Sequence, residues 1–276
     1  MPKTNAISIM NGADAPATLP ELYGLVIEAV RAKSLAMTLK SQNYRGDPRT
    51  GSVVFRRFAN SKSQPYGTAR AAGKGNKLNA LDVPVNLDQH EEIVEEVAKF
   101  DLDTFGIADL MKRRAPDHTE SMATTLDSDY FEAIAEDATE FTPTATAINE
   151  VCEEAVVTLS NVKNDYVDGV PRALIDVVLS STNYSKMRTF LDTQPNPNVD
   201  TAGEEFGTYH GVKYYESTRL PSGVNGLCMI RGAGALPCVV DEYSEPEKIP
   251  LSNDYASSLF YDYGSKNLVP DLTLKW

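Results

Sequence analysis

Residues 59–77 read "ANSKSQPYGTARAAGKGNK", nineteen residues with no branched aliphatic side chain, four basic residues and no acid. "SVVFRRF" (52–58) precedes this stretch and "LDVPVNL" (81–87) follows it, and both have strand composition. The second alternates, with Leu81, Val83, Val85 and Leu87 on one face and Asp82, Pro84, Asn86 and Asp88 on the other. Pro84 has no N–H for a ladder, so this strand is an edge or half of a two-stranded ribbon. Together the pieces predict a long hairpin, Val53 to Leu87, whose basic tip has nothing with which to enter a core. An isolated ribbon is marginal in water, so its apolar face needs a partner that the chain itself need not supply. The plainer alternative for the tip is a solvated surface loop.

Charge is unevenly placed. The chain carries −13, yet residues 40–77 hold nine basic residues against Asp47 alone, a net of +8, and everything else nets −21. The next stretch, 78–110, has nine acids against Lys99, a net of −8. Adjacent blocks of opposite sign suit contact between copies of one protein, basic block on acidic block. Two solvated faces would give the same counts.

With 276 residues, the chain can bury a sizeable core without staples, and 42% hydrophobic with 24% charged residues is ordinary for a globular protein. Cys152, Cys228 and Cys238 are odd in number and form no Cys-x-x-Cys pair, so reduced thiols serving as small hydrophobes are expected, with neither disulfide nor zinc. The first 22 residues lack the apolar core of a signal peptide, and no later run approaches membrane-spanning length. A soluble protein made in the cytoplasm is expected.

Thr18 and Glu21 form a capping-box pattern with Pro20 in the first turn, predicting a short amphipathic helix to about residue 36. Met122, Leu126, Tyr130, Ala133 and Ile134 predict a helix from Asp117 to Ala138, with Pro116 marking its start. A second helix, beginning at Thr142-Pro143, carries the stripe Ile148, Val151, Cys152, Ala155, Val156 and Leu159. "RALIDVVL" reads as a buried strand, "STNYSKMRTFL" as a short helix and "DTQPNPNVDTAGEE" as a long loop. The remaining segments are short strands, so the fold class is α+β.

Motifs for chemistry fall short. "GTARAAGKG" has Gly73-Lys74, but Gly67 is one residue too far upstream for a phosphate loop and Gly75 replaces the hydroxyl residue. "RGAGALP" has Pro237 where a third dinucleotide-binding glycine belongs, and reads as a turn. His90-Glu91 opens like a zinc-protease helix, yet Val94 stands where the second histidine belongs. His118 and His210 have no ligand-spaced neighbours. The acids Glu91, Glu92, Glu95, Glu96, Asp101 and Asp103 come without a glycine-shaped calcium loop, so a charged contact surface is the preferred reading. No Gly-x-Ser-x-Gly elbow occurs. Tyr66 is the lone aromatic of the tip, which matches no nucleic-acid recognition motif.

Taken in order, these pieces resemble the major capsid protein of tailed bacteriophages, with its Hong Kong 97 type of fold. The likeness rests on "LDVPVNLDQHEEIVEEVAKFDLDTFG", "TESMATTLDSDYFEAIAEDA", "PRALIDVVLSSTNYSKM" and "FYDYGSKNLVPDLTL", and on their order. It implies an N-terminal arm (1–43), an extended hairpin loop (44–90), a peripheral domain with a spine helix (91–141), an axial domain (142–235) and return strands (236–276). It also implies self-assembly into hexamers and pentamers of an icosahedral shell in the virion, built in the host cytoplasm without a cofactor or membrane. Portal, packaged double-stranded DNA held nonspecifically and a separate scaffolding protein would be its partners. The inter-subunit residues it implies are Arg56, Arg57, Lys62, Arg70, Lys74 and Lys77 on the loop. Opposite them would stand Glu91, Glu92, Glu95, Glu96, Asp127, Glu132 and Glu136. Lys-Asn crosslinks, made by some family members, are not expected, because nothing singles out the required carboxylate. Three other readings stay open: a cellular protein cage of the encapsulin type, a metal-dependent cytoplasmic enzyme, and a tail-tube protein.

Overall fold

The structure is a computed structural model that describes residues 29–30, 33–61, 63–73, 75, 77–193 and 208–276. Most of the N-terminal helix expected to residue 36, and nearly all of the loop expected at 192–205, lie outside the described residues. In chain order the elements are α1 (Leu35–Leu39), β1 (Ser52–Phe58), a single helical turn α2 (Thr68–Ala71), β2 (Ala80–Asn86) and β3 (Gln89–Val97). Next come α3 (Lys99–Phe105), α4 (Ile107–Asp137), β4 (Thr139–Glu140), α5 (Ile148–Ser160), β5 (Ile175–Ser180) and α6 (Ser181–Asp192). Strands follow: β6 (Thr208–Tyr209), β7 (Val212–Ser217), β8 (Gly226–Ile230), β9 (Gly234–Ala235), β10 (Cys238–Lys248), β11 (Tyr255–Tyr263), β12 (Lys266–Asn267) and β13 (Thr273–Lys275). Helices dominate the middle and strands the end, the α+β order that the sequence predicts.

Two helix starts differ from expectation. Pro116 lies inside α4, which begins at Ile107, so the helix forgoes one i→i−4 bond at Pro116 instead of starting there. α5 begins at Ile148 and not at Thr142, because Glu154 folds the preceding loop back on the helix. Its carboxylate accepts from Thr144 N at 2.9 Å and Thr144 Oγ1 at 2.5 Å.

The chain forms two compact units. The first contains the described residues up to Thr38 with Leu87–Asp127 and Cys238–Tyr263. Its antiparallel sheet has the order β10–β11–β3, and Leu259 stands opposite Tyr243 on one side and Ile93 on the other. Tyr243, Leu259 and Tyr261 are buried, as are Met122, Ala123 and Leu126 of α4.

A polar brace ties α4 to this sheet. Arg114 grips Glu95 through both guanidinium branches, Nε at 2.7 Å, and also reaches Asp117 at 2.7 Å. His118, fully buried, sets Nδ1 3.2 Å from the Tyr243 hydroxyl and Nε2 2.9 Å from Glu95, the latter off the line of an ideal hydrogen bond. Arg114 above all, then His118, holds the Glu95 carboxyl down at about 2, while burial pushes the Tyr243 phenol up to about 12.

A second carboxylate, this one buried, works similarly. Asp127 accepts from Ser34 Oγ at 2.5 Å and from the backbone N–H of Leu35 and Ala36 at 3.3 and 3.0 Å. It thereby caps α1, whose first amides have no partner inside so short a helix.

The second unit contains Leu39–Asn86, Ser128–Pro237 and Gly264–Trp276. Its mixed sheet has the order β4–β13–β8–β5–β7–β6, parallel at β4/β13 and β5/β7. Central β5 is buried, including Asp176, which Arg231 meets with two hydrogen bonds of 2.8 and 3.0 Å. The predicted stripe of α5 packs inward through Val151, Cys152, Ala155, Val156 and Leu159, and α6 buries Tyr184, Met187 and Leu191. Burial pushes the Cys152 thiol up to about 12 and raises Cys228 as well, so both behave as apolar groups. "RGAGALP" is a turn as predicted, and its glycines serve two needs. Gly232 sits at φ +79°, and Gly234 lies so close to the fully buried Tyr130 that a Cβ there would meet the ring at 2.4 Å.

Two expected outcomes follow from these contacts. Gly234→Ala should cost about 1–3 kcal/mol through overpacking against Tyr130, read as a lowered urea midpoint. Glu95 has a folded pKa below its ordinary 4.5, so its stabilisation is full above that value and is lost as pH falls towards about 2. Urea unfolding across that window should show a steeper acid loss in the native chain than in Glu95→Gln. Parallel curves would remove the brace from the account.

Candidate assembly surface

β1 and β2 form a two-stranded antiparallel ribbon in the register Val53↔Val85, Phe55↔Val83, Arg56↔Asp82 and Phe58↔Ala80. Its base is covered by the chain itself: Val53, Phe55, Val85 and Leu87 are buried, and the Tyr44 ring lies 5.7 Å from that of Phe55. The expectation that the apolar face lacks an internal partner is therefore corrected for the base. At the far end Phe58 and Leu81 are half exposed, Leu78 is 73% exposed and Tyr66 is fully exposed.

The loop cations divide in the same way. Arg56 is paired across the ribbon with Asp82 at 2.6 and 2.7 Å, which raises the guanidinium pKa and lowers that of the carboxyl. Arg57 turns to the body of its own unit and grips Asp271 at 2.6 and 2.8 Å. That hydrogen bond holds Asp271 below the usual carboxylate range. Neither arginine is an uncommitted charge, because each already has a carboxylate in ideal fork geometry. Lys77 is exposed, Arg70 belongs to α2, and Lys62 and Lys74 lie outside the described residues.

The candidate acids also separate. Asp127 is 2% exposed and committed to α1, so it is withdrawn from any surface. Glu95 points to the inner side of the sheet, into the brace. Glu91, Glu92 and Glu96 are exposed on β3, an edge strand of a sheet and not the metalloprotease-like helix that His90-Glu91 hints at. Glu132 and Glu136 are exposed, one turn apart on α4 in the second unit.

Sequence reasoning missed how the outer face of the β10–β11–β3 sheet is composed. Glu242, Phe260 and Glu92 lie side by side across the three strands, and beside them Asp262 accepts His90 Nδ1 at 2.6 Å. That bond raises the His90 pKa. With Asp241 these residues line a depression of about 470 Å³, flanked on β3 by Val94, which is half exposed. The register that aligns Glu92 with Phe260 and, beyond it, Glu242 leaves no mark in local sequence. No group of three His, Cys, Asp or Glu side chains is arranged to hold a metal among the described residues. No described helix is long and apolar enough to cross a membrane.

Solved structures share this architecture. A structure from Mycobacterium phage Che8 is 19% identical with a TM-score of 0.57, covering 82% of this chain and 84% of its own. The head structure of Helicobacter pylori bacteriophage KHP40 has a TM-score of 0.61 at 11% identity, covering 85% and 83%. A virus-like particle from Pyrococcus furiosus has 0.54 at 13%, covering 94% and 98%. At these identities the likeness establishes the fold, of the Hong Kong 97 type, and no more. No curated protein matches by sequence. The sequence pattern of the phage capsid protein family, however, matches residues 91–271, well over half the chain. That match favours a phage over a cellular cage and a structural role over an enzymatic one. The chain is a self-assembling protein of the virion and belongs to the phage capsid protein family.

Proposed function

We propose that this chain is the major capsid protein of a tailed phage and builds an icosahedral shell from hexamers and pentamers, its hairpin tip seated on a neighbouring copy. The observation that carries the contact is the far end of the ribbon, where Phe58, Tyr66, Leu78 and Leu81 are exposed on a basic stretch beyond a base already buried in its own unit. The seat is acidic: the outer sheet face with Glu92, Glu96, Asp241 and Glu242 in one part, and Glu132 and Glu136 of α4 in another. Lys62, Arg70, Lys74 and Lys77 supply the complementary charge.

A rim ion pair is worth about 0.2–1 kcal/mol, so one contact is weak and reversible, and closure of the shell makes the sum stable. Residues 44–90 act as the extended loop, α4 as the spine of the peripheral domain, and 142–235 as most of the axial domain. Double-stranded DNA is enclosed and not gripped, since a net charge of −13 repels phosphate and leaves screening to cations. Assembly takes place in the host cytoplasm, with a separate scaffolding protein and a portal.

Deletion of residues 60–76 should leave a folded, soluble subunit that forms no closed particles by negative-stain microscopy. Normal particles from the deletion would end the hairpin assignment. Reversing Lys62, Lys74 and Lys77 to Glu should raise the subunit concentration needed for assembly about tenfold or more. Adding Glu92→Lys and Glu242→Lys should recover part of the loss if the sheet face is the seat, whereas recovery only with Glu132→Lys and Glu136→Lys would move the seat to α4.

A further inference from the structure

We infer that Arg57, Asp271 and Tyr166 form a clasp that positions the hairpin, fixing the direction in which its tip leaves the subunit. This rests on the proposal that the tip reaches a second copy. The clasp is built from three segments remote in sequence. Arg57 lies on β1, one residue before the strand ends. Asp271 sits in the 3₁₀ turn Pro270–Leu272 just before β13, and Tyr166 lies in the turn between α5 and β5.

The guanidinium makes both in-plane bonds to Asp271, at 2.6 and 2.8 Å, and lies over the Tyr166 ring with its carbon 4.3 Å from the ring centroid. A planar cation held at its edge by a carboxylate and on its face by an aromatic ring has little freedom left. The turn that presents the ring is itself fixed. Asn164 Oδ1 accepts from the amides of Tyr166 and Val167, both at 2.9 Å, and Asn164 Nδ2 donates to Asp271.

Main-chain contact closes the arrangement, because Asn60 N donates to Asp165 O at 2.9 Å. On the other strand Lys266 Nζ donates to Pro84 O at 3.3 Å. The first strand is therefore tied to the body of its own unit where the tip begins, and the second nearer the base, at Pro84 opposite Val54. The Arg57 side chain is 16% exposed, in contrast to the 42% of its neighbour Arg56, which pairs across the ribbon. Adjacent arginines on opposite faces of one strand thus have different tasks: Arg56 holds the ribbon together and Arg57 aims it. A tip aimed in advance loses less freedom on docking, so the clasp acts on assembly through the tip without touching the neighbour.

The test uses the full-length subunit, with amide hydrogen exchange read at Asn60 against the ladder amides of β1, and with particle yield read separately. Asp271→Asn should speed Asn60 exchange about tenfold or more while leaving the ladder amides of β1 protected, and should reduce particle yield. Combining Arg57→Asp with Asp271→Arg should restore both in part. If Asp271→Asn unfolds the subunit, Tyr166→Leu takes its place, with a smaller change in the same direction at Asn60. Unchanged exchange at Asn60 in the folded variant overturns the clasp. Faster exchange with normal particles overturns its positioning role, and the hairpin's reach to a neighbour is judged independently by deletion of 60–76.

Discussion

Two strands cannot cover themselves. The β1–β2 ribbon satisfies its backbone along one edge of each strand and has no third strand to bury a face against, so stability must come from whatever it leans on. At the base it leans on its own chain, through Val53, Phe55, Val85 and Leu87. Beyond Asn60 the composition turns to Gly, Ser, Ala and Lys, and the described Tyr66 and Leu78 are exposed. Much of the fold follows from that transition. The second unit supplies a docking edge through Asp271, Tyr166 and Lys266, and the first unit has an outer sheet face left rich in acids.

The elements were legible in the sequence wherever burial has a period. Alternation in "LDVPVNL" and the 3.6-residue stripes of α4 and α5 each report one buried face, the apolar run of β5 reports burial on both, and such burial is a local property. The ends of these helices were less legible. Pro116 reads as a start because a helix interior normally rejects it, yet α4 accepts the missing bond and continues upstream. α5 starts late because Glu154, ten residues downstream, binds Thr144 and wins over local capping preferences.

Charged residues were the least legible class, since their roles depend on partners that local sequence does not specify. Glu91, Glu92, Glu95 and Glu96 form one acidic run, but strand geometry sends Glu95 to Arg114 and His118 on the inner side while its neighbours Val94 and Glu96 remain exposed on the outer. Asp127 reads as one acid among several on the spine and proves to be a buried cap. Arg56 and Arg57 read as a basic pair, and opposite faces of one strand give them Asp82 and Asp271, 26 and 214 residues away. A count of charges along the chain therefore overstates the charge free to meet a neighbour.

What remains after these internal pairs is subtracted has a consistent geometry. Among the described residues of the tip Lys77 is exposed, and Glu91, Glu92 and Glu96 are exposed along an edge strand. A long edge strand ordinarily invites a copy of itself to pair with it, and exposed glutamates on β3 make that pairing repulsive because like charges would lie opposite one another. In the proposed assembly the same glutamates attract a basic segment. On that proposal one set of side chains closes the wrong contact between copies and opens a different one. An acidic subunit that is to gather into an ordered assembly without pairing edge to edge through β3 requires both effects at once.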